Sequence, residues 1–398
     1  MVAAHAELEA RMRARLGGRD CLYVPSCRLG LYLALRHWCP PGGRVLMSPV
    51  NDDVILFVVL AAGLRPVQAP LDPRTGSLDP AAVPDAVWSG LSAVLTTNLY
   101  GNPDPAPGLR ARCDRLGIPL LEDAAHAIGS TVGGRPVGAW GDAAVFSLSK
   151  HTGARTGGFL AVADPARRAA LAAERDALLR PSRAAGELAR LARPHAESAA
   201  RALRLTRPAH AALRALGAHE RPGIRMPLRP AELTRALGAA PALDPFHSWI
   251  RVDLHDYRLR TGAARLRRVR TRLAALDAVL DAHRAGTARL LATEYAGPAS
   301  ADGGVQPLFR VPLLVEDRDA AAAALARRGI PVGYLYDPPL DAYAGEAFTD
   351  PSPDPAPAAW FARHALPVDP RRAGEALAAL RASGARPAAP APAPGGAR

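Results

Sequence analysis

Between Cys21 and Ala163 the chain alternates short apolar runs with helical stretches, and this alternation constrains the fold more than any other feature. The apolar runs are Cys21–Ser26, Arg44–Ser48, Pro66–Leu71, Ala93–Thr97, Ile118–Leu121, Ala143–Leu148 and Phe159–Ala163. Between them lie helical segments around Leu29–Leu35, over Val54–Ala62 before Gly63, and over Leu109–Leu116 with Gly117 as C-cap. A strand that is apolar along its whole length has to be covered on both faces, unlike one that is apolar at every second residue. The pattern therefore predicts an α/β fold in three layers, with a mostly parallel central sheet between helices. Ligands of such sheets sit at the carboxyl ends of the strands. That rule singles out Asn98, Asp123 and Ser147, which follow or end three of the runs.

The remainder divides by composition. Residues 1–18 read as a short amphipathic helix, and 19–250 as the large α/β domain. Within it, Pro165 to about Ala218 is rich in Ala, Arg and Leu, and Pro181, Pro194 and Pro208 divide it into several helices. Residues 251–385 read as a smaller α+β domain. It would contain a long helix from about Arg258 to His283, a strand Leu308–Leu314, a helix Arg318–Arg328 and a strand Pro331–Tyr336. Residues 386–398 alternate Ala and Pro and are expected to be a disordered tail.

Charge narrows the partners. The 50 Lys and Arg against 37 Asp and Glu give a net charge of +13. The arginines are spread through helical segments and alternate with acids, without aromatic–basic platforms, so we expect a solvated surface and no nucleic-acid partner. No apolar run reaches the length of a membrane span, and the first 18 residues lack an apolar signal core. Cys21, Cys27, Cys39 and Cys113 show neither CxxC nor metal-ligand spacing, so no metal is expected and a reducing cytoplasm is the simplest setting.

Of the 50 basic residues, 49 are arginine, and Lys150 is the only lysine. Arginine has taken over wherever a positive charge or a long stem suffices. The remaining lysine points to what a guanidinium cannot do, which is to lose a proton and attack a carbonyl. Three other features support it. Leu120–His126 places Asp123 at the end of a buried strand, with an imidazole at His126. Ser26-Cys27-Arg28 is a strand-to-helix junction whose backbone amides can hold a phosphate. Gly157-Gly158 allows close backbone approach just after the lysine. Singly, Asp123 and Ser26 would read as helix caps and His126 as a buried, hydrogen-bonded side chain. Together, an imine-forming lysine, a buried aspartate and a phosphate cradle point to pyridoxal 5′-phosphate (PLP).

The same residues carry a family resemblance. Glu122-Asp123-Ala124-Ala125-His126, Gly134, Val137-Gly138, Gly141-Asp142, Phe146-Ser147, Lys150 and Gly157-Gly158 resemble the central pattern of the DegT/DnrJ/EryC1/StrS sugar aminotransferases. Ser26–Leu31, Asn98-Leu99-Tyr100-Gly101 and Arg328-Gly329-Ile330-Pro331 are similar to further family segments. The resemblance implies a PLP-dependent transferase of fold type I, with the cofactor on Lys150 and Asp123 against its pyridine nitrogen. It implies His126 at the ring face or near its phenolic oxygen, and Ser147 with the Ser26, Cys27 and Arg28 segment around the phosphate. It also implies a homodimer whose active sites lie at the subunit interface, with Arg225 as the candidate for the phosphate contact across it.

The chain departs from the family pattern at Cys27 and Arg28, at Asn51-Asp52-Asp53, and in the spacing of Ser147 and Lys150. The expected activity is transfer of an amino group from glutamate or glutamine to a keto-sugar or related ketone. The alternatives are a PLP-binding regulatory protein of the same fold and another imine-based reaction such as dehydration. Lys150 argues against dehydration, because the family's sugar dehydratases carry His at that position.

Overall fold

The computed structural model describes residues 2–182, 223–251, 256–297 and 304–391. Helix α1 (Val2–Arg15) leads into β1 (Asp20–Val24), α2 (Cys27–Trp38), β2 (Arg44–Met47), α3 (Asp53–Ala61) and β3 (Arg65–Gln68). The one-turn α4 (Asp85–Trp88), β4 (Ala93–Thr96), α5 (Ala106–Leu116) and β5 (Leu120–Asp123) follow. A small hairpin, β6 (Thr131–Val132) and β7 (Arg135–Pro136), precedes β8 (Ala143–Ser147), β9 (Gly158–Val162) and α6 (Arg168–Leu178).

Seven of these strands form one sheet in the order β1-β9-β8-β5-β4-β2-β3. The pairings from β3 through β8 are parallel, and β9 runs antiparallel to both β8 and β1. The sheet is therefore mostly parallel, as the apolar runs predict. Strands β4, β5, β8 and β9 are buried along their whole length. Helix α3, with the sequence DVILFVVLA, is buried at every position and packs into the core on one face with α2. Helix α1 contributes Leu8 and Met12 to the core on the other face. Gly117 ends α5 in the left-handed conformation at φ 66°, as a C-cap glycine does.

Beyond residue 256 the sequence reading needs three corrections. The long helix expected from Arg258 to His283 is two helices, Ala263–Ala274 and Leu276–Leu291, separated at Ala275 (φ −89°, ψ 5°). Their combined apolar periodicity is continuous, so the pattern alone does not reveal the break. The strand expected at Pro331–Tyr336 is irregular: Tyr334 has φ +63°, which no ladder accommodates. The partner of β10 (Val311–Leu314) is instead β11 (Ala365–Val368), paired antiparallel. Finally, the segment read as a tail begins in contact with the body. Glu316 N–H donates to Arg386 O at 3.0 Å and Ala388 N–H to Leu314 O at 3.0 Å, while Arg386 pairs with Glu316 at 2.8 Å. Pro387 has no N–H to offer, but its neighbours supply the edge bonds. Residues 392–398 lie outside the described residues, as do Pro194 and Pro208.

Among the described residues, deleting 386–398 removes two backbone hydrogen bonds to the body, each contributing about 0.5–1.5 kcal/mol net. The truncated protein is expected to melt a few degrees below the parent in a calorimetric scan. An unchanged melting temperature would mean that this edge contact contributes nothing.

Candidate active site

Segments that follow β1, β2, β4, β5 and β8 converge on one pocket. The pocket is lined by Ser26, Cys27, Arg28, Asp123, His126, Ser147 and Lys150, all singled out in the sequence, whereas Asn98 is not part of its lining. Gly158 fixes how closely these loops approach. A Cβ there would run into the Phe146 carbonyl oxygen and crowd the Cys27 backbone nitrogen, so only glycine lets β9 lie this close to β8 and the start of α2.

Asp123 ends β5 and is 4% exposed. Its side chain accepts a hydrogen bond from Ala125 N–H at 2.9 Å, the only one it accepts among the described residues. Burial in this weakly compensated setting raises its carboxyl to about 7, against the opposing pull of that hydrogen bond and of Lys150. The preceding residue behaves differently. Glu122 accepts from Gly138 N–H (2.8 Å), Trp140 N–H (2.8 Å) and Gly141 N–H (2.6 Å), which ties the 138–141 loop beneath the sheet end. Arg19 clasps the same loop through the Gly138 and Gly141 carbonyls. Adjacent strand residues point to opposite faces, so one carboxylate builds the scaffold and the other faces the pocket.

Lys150 places Nζ 4.0 Å from the centroid of the Tyr334 ring and 5.6 Å from that of Phe309. His126 stacks on Phe309 (5.1 Å, 26°) and lies nearly parallel to Tyr100 (6.3 Å, 7°). Burial, followed by the charge of Lys150, holds His126 well below its ordinary range, so its ring is neutral at physiological pH. Ser147, at the end of β8, accepts from Ser149 N–H at 3.3 Å. Loop order comes from Asp104, whose carboxylate receives the N–H groups of Leu78, Thr97 and Asn98. Asn98 in turn donates to the Asp123 carbonyl at 3.0 Å.

At the start of α2 the expected roles change. Ser26 is the N-cap: its hydroxyl accepts from Leu29 N–H at 3.2 Å and donates to Tyr257 O at 2.9 Å. Its side chain is a cap, and any anion contact at this helix start falls to the backbone. Arg28 donates to Ile250 O at 2.7 Å and lies over the Tyr257 ring. Cys27 carries a thiol pushed well above its ordinary range by burial and by the nearby Asp123.

Arg225 does not fit the cross-subunit role read from the sequence. Its guanidinium donates to the carbonyls of Asn51 (2.6 Å), Tyr336 (3.0 Å) and Pro338 (2.6 Å) of its own chain. It acts as an internal staple between the loop before α3 and the 336–338 segment. The sequence reading also missed Arg155, Thr156, Tyr257, Arg265 and Tyr336, which line the same pocket. No motif marks them. Arg155 and Thr156 follow Lys150 within six residues, while Tyr257, Arg265 and Tyr336 come from segments far from it in sequence, which only the fold brings to the pocket.

The raised carboxyl of Asp123 has a measurable consequence. A folded-state pKa above the unfolded value means that the folded protein holds the proton more tightly, so stability falls as pH rises from about 4 through 7. Cofactor-free Asp123→Asn is therefore expected to melt above the cofactor-free parent at pH 8, by up to about 4 kcal/mol for a shift of this size. The difference should vanish near pH 4. Equal melting curves at pH 8 would mean that Asp123 is not strained by burial.

Several known proteins resemble this chain. Residues 3–177 match the sequence profile of the DegT/DnrJ/EryC1/StrS aminotransferase family. The L-glutamine:2-deoxy-scyllo-inosose aminotransferase of Streptoalloteichus tenebrarius is 44% identical over 143 residues, 36% of this chain and 34% of that protein. The erythromycin biosynthesis sensory transduction protein EryC1 of Saccharopolyspora erythraea is 41% identical over 176 residues, 43% of this chain and 47% of that protein. The chain thus spans about a third to a half of the length of these curated relatives. Among solved structures, the E. coli GDP-4-keto-6-deoxy-D-mannose-3-dehydratase with bound hydrated PLP superposes with a TM-score of 0.65 at 16% identity, over 95% of this chain and 91% of that one. The shared fold is that of the fold type I PLP-dependent transferases. The central motif block lies on the matched stretch, so residues 3–177 resemble the DegT/DnrJ/EryC1/StrS aminotransferase family.

Proposed function

We propose that this protein is a PLP-dependent aminotransferase that moves an amino group from glutamate or glutamine to a keto-sugar or related cyclic ketone. The observation that carries this reading is the placement of Lys150 and a weakly compensated, buried Asp123 in one pocket. The pocket suits the cofactor. A carboxylate with capacity to accept a further hydrogen bond matches a protonated pyridine nitrogen, and a lysine amine matches an aldehyde. When bound, PLP supplies an electron sink for the bonds at the donor's α-carbon.

The chain's residues then divide the remaining tasks. Asp123 keeps a proton on the ring nitrogen by stabilising the positive charge there. His126, neutral and parallel to Tyr100, offers a flat face against which a ring can lie. Ser147 and the backbone at Cys27 and Arg28 receive the phosphate end. Lys150 holds the cofactor and, once released, carries a proton as general acid and base. Resting over Tyr334, its ammonium has a favourable position when it is not bonded to the cofactor. The 44%-identical relative is named for glutamine and 2-deoxy-scyllo-inosose, which supports an amino-acid donor and a cyclic ketone acceptor. We extend to this chain the homodimeric assembly that its family resemblance implies.

Borohydride reduction of the PLP-loaded protein is expected to leave the cofactor on residue 150, with no other lysine available to take it. Lys150→Arg should lose that adduct and turnover by about 10²–10⁴-fold or more, because the guanidinium keeps its proton. Asp123→Asn should keep the adduct and lose about 10²–10³-fold in turnover, the scale seen when a preorganised electrostatic partner is removed. A screen of keto-sugars and cyclic ketones with ¹⁵N-labelled donors reads the acceptor. A bound-cofactor absorbance that no amino donor shifts would favour a regulatory PLP-binding protein over a transaminase.

A further inference from the structure

Next to the lysine in sequence, two buried imidazoles meet, and a buried threonine lies one turn along the helix that carries one of them. His151, the residue after Lys150, is 3% exposed, while His283 is 1% exposed and Thr287 is fully buried. The two imidazoles lie 4.9 Å apart, centroid to centroid, inclined at 51°. Thr287 follows His283 by one turn on the same face of the Leu276–Leu291 helix. That helix is held close by Gly286, where any Cβ would collide with the Pro370 carbonyl.

The hydrogen-bond partners fix the tautomers. His151 Nε2 lies 2.9 Å from Pro307 O, and His283 Nδ1 lies 2.7 Å from Leu308 O. A carbonyl only accepts, so each of those nitrogens carries the ring proton. The other nitrogens, His151 Nδ1 and His283 Nε2, are then lone-pair acceptors, and both lack a partner within the described residues. So does Thr287 Oγ1. Buried polar atoms left unsatisfied are costly, and three on neighbouring buried side chains are rarely left so.

We propose that His151 Nδ1, His283 Nε2 and Thr287 Oγ1 form a buried binding site for one water molecule, which couples the lysine loop to the Leu276–Leu291 helix. The stoichiometry closes. The water donates its two hydrogens to the two ring nitrogens and accepts the Thr287 hydroxyl proton, making three hydrogen bonds as buried waters typically do. A metal cation fits less well. Arg310 and Arg371 bear on both imidazoles, and Asp369, the nearby acid, is already held by Arg371 at 2.6 Å. The Pro307–Phe309 segment lies between these elements. It bonds His151 and His283 through two successive carbonyls, and Phe309 N–H donates to Tyr100 O at 2.8 Å. The water would close a ring of contacts that holds residues 148–154 and the aromatic wall of the pocket in fixed relation. His151 and Thr287 are thus positioning residues. The inference does not depend on the transamination reading.

The sign of one stability change tests it. Thr287→Val keeps the side-chain shape and removes the hydroxyl. With a water bound, the substitution deprives it of a partner, so the melting temperature of the full chain at pH 7.5 falls by about 2 °C. Amide hydrogen exchange over residues 148–154 should accelerate several-fold in the same variant. Without a water, the hydroxyl is an unsatisfied polar group and its removal leaves the melting temperature unchanged or raises it, which would overturn the proposal. Selective ¹⁵N-histidine spectra of the unsubstituted protein provide a second reading. They are expected to show His151 protonated at Nε2, His283 at Nδ1, and a water cross-peak to both rings. An imidazolium at neutral pH, or a metal-bound nitrogen, would equally refute the site.

Discussion

Two adjacent carboxylates at the end of β5 organise this molecule, and they differ in how they are compensated. Glu122 receives three backbone N–H groups and anchors the loop that closes the sheet end. Asp123 receives one and is pushed up to about 7. A strand's alternation places the two on opposite faces, so a single step along the chain separates scaffold from chemistry. Holding Asp123 in this state costs stability in the cofactor-free protein, and a cation at the pocket end of the carboxylate would recover it. That exchange of stability for binding is how a site prepared for a protonated ring is recognised from its own residues.

Much of this was legible in the sequence, for physical reasons. Fully apolar strands require a covered parallel sheet, and a parallel sheet directs ligands to strand ends, where Asp123 and Ser147 stand. The only lysine among 50 basic residues lines the same pocket as Asp123, and its amine can lose a proton where a guanidinium cannot. Where the reading failed, no local signal existed. The apolar period runs unbroken through Ala275, although the helix stops there. Tyr334 resembles a strand residue until its backbone turns to φ +63° and its carbonyl takes the Tyr100 hydroxyl at 2.6 Å. Arg225 has the charge for a phosphate contact, but three carbonyls of its own chain surround it, and their convergence is a property of the fold alone.

The histidines add a layer that motif reading does not reach. His126, His151 and His283 are all held below their ordinary range, chiefly by burial, and His151 is lowered to about 3. Groups depressed in this way bind protons more readily when the chain unfolds, so they withdraw stability as pH falls below about 6.5. Asp123 withdraws it in the opposite direction, as pH rises toward 7. Around the lysine, then, burial keeps the imidazoles neutral and makes the Asp123 carboxyl, like those of Glu122 and Asp104, more reluctant to ionise.

The central claim is that Asp123 is poised for a cationic partner, and the titration of that carboxyl tests it most directly. Infrared difference spectra or ¹³C-aspartate resonances, compared between the parent and Asp123→Asn, follow it with and without PLP. Without the cofactor, Asp123 is expected to titrate near 7. With PLP bound, it should stay ionised across pH 5 to 9. A carboxyl already ionised at pH 5 without the cofactor, and unaffected by adding it, would contradict the account.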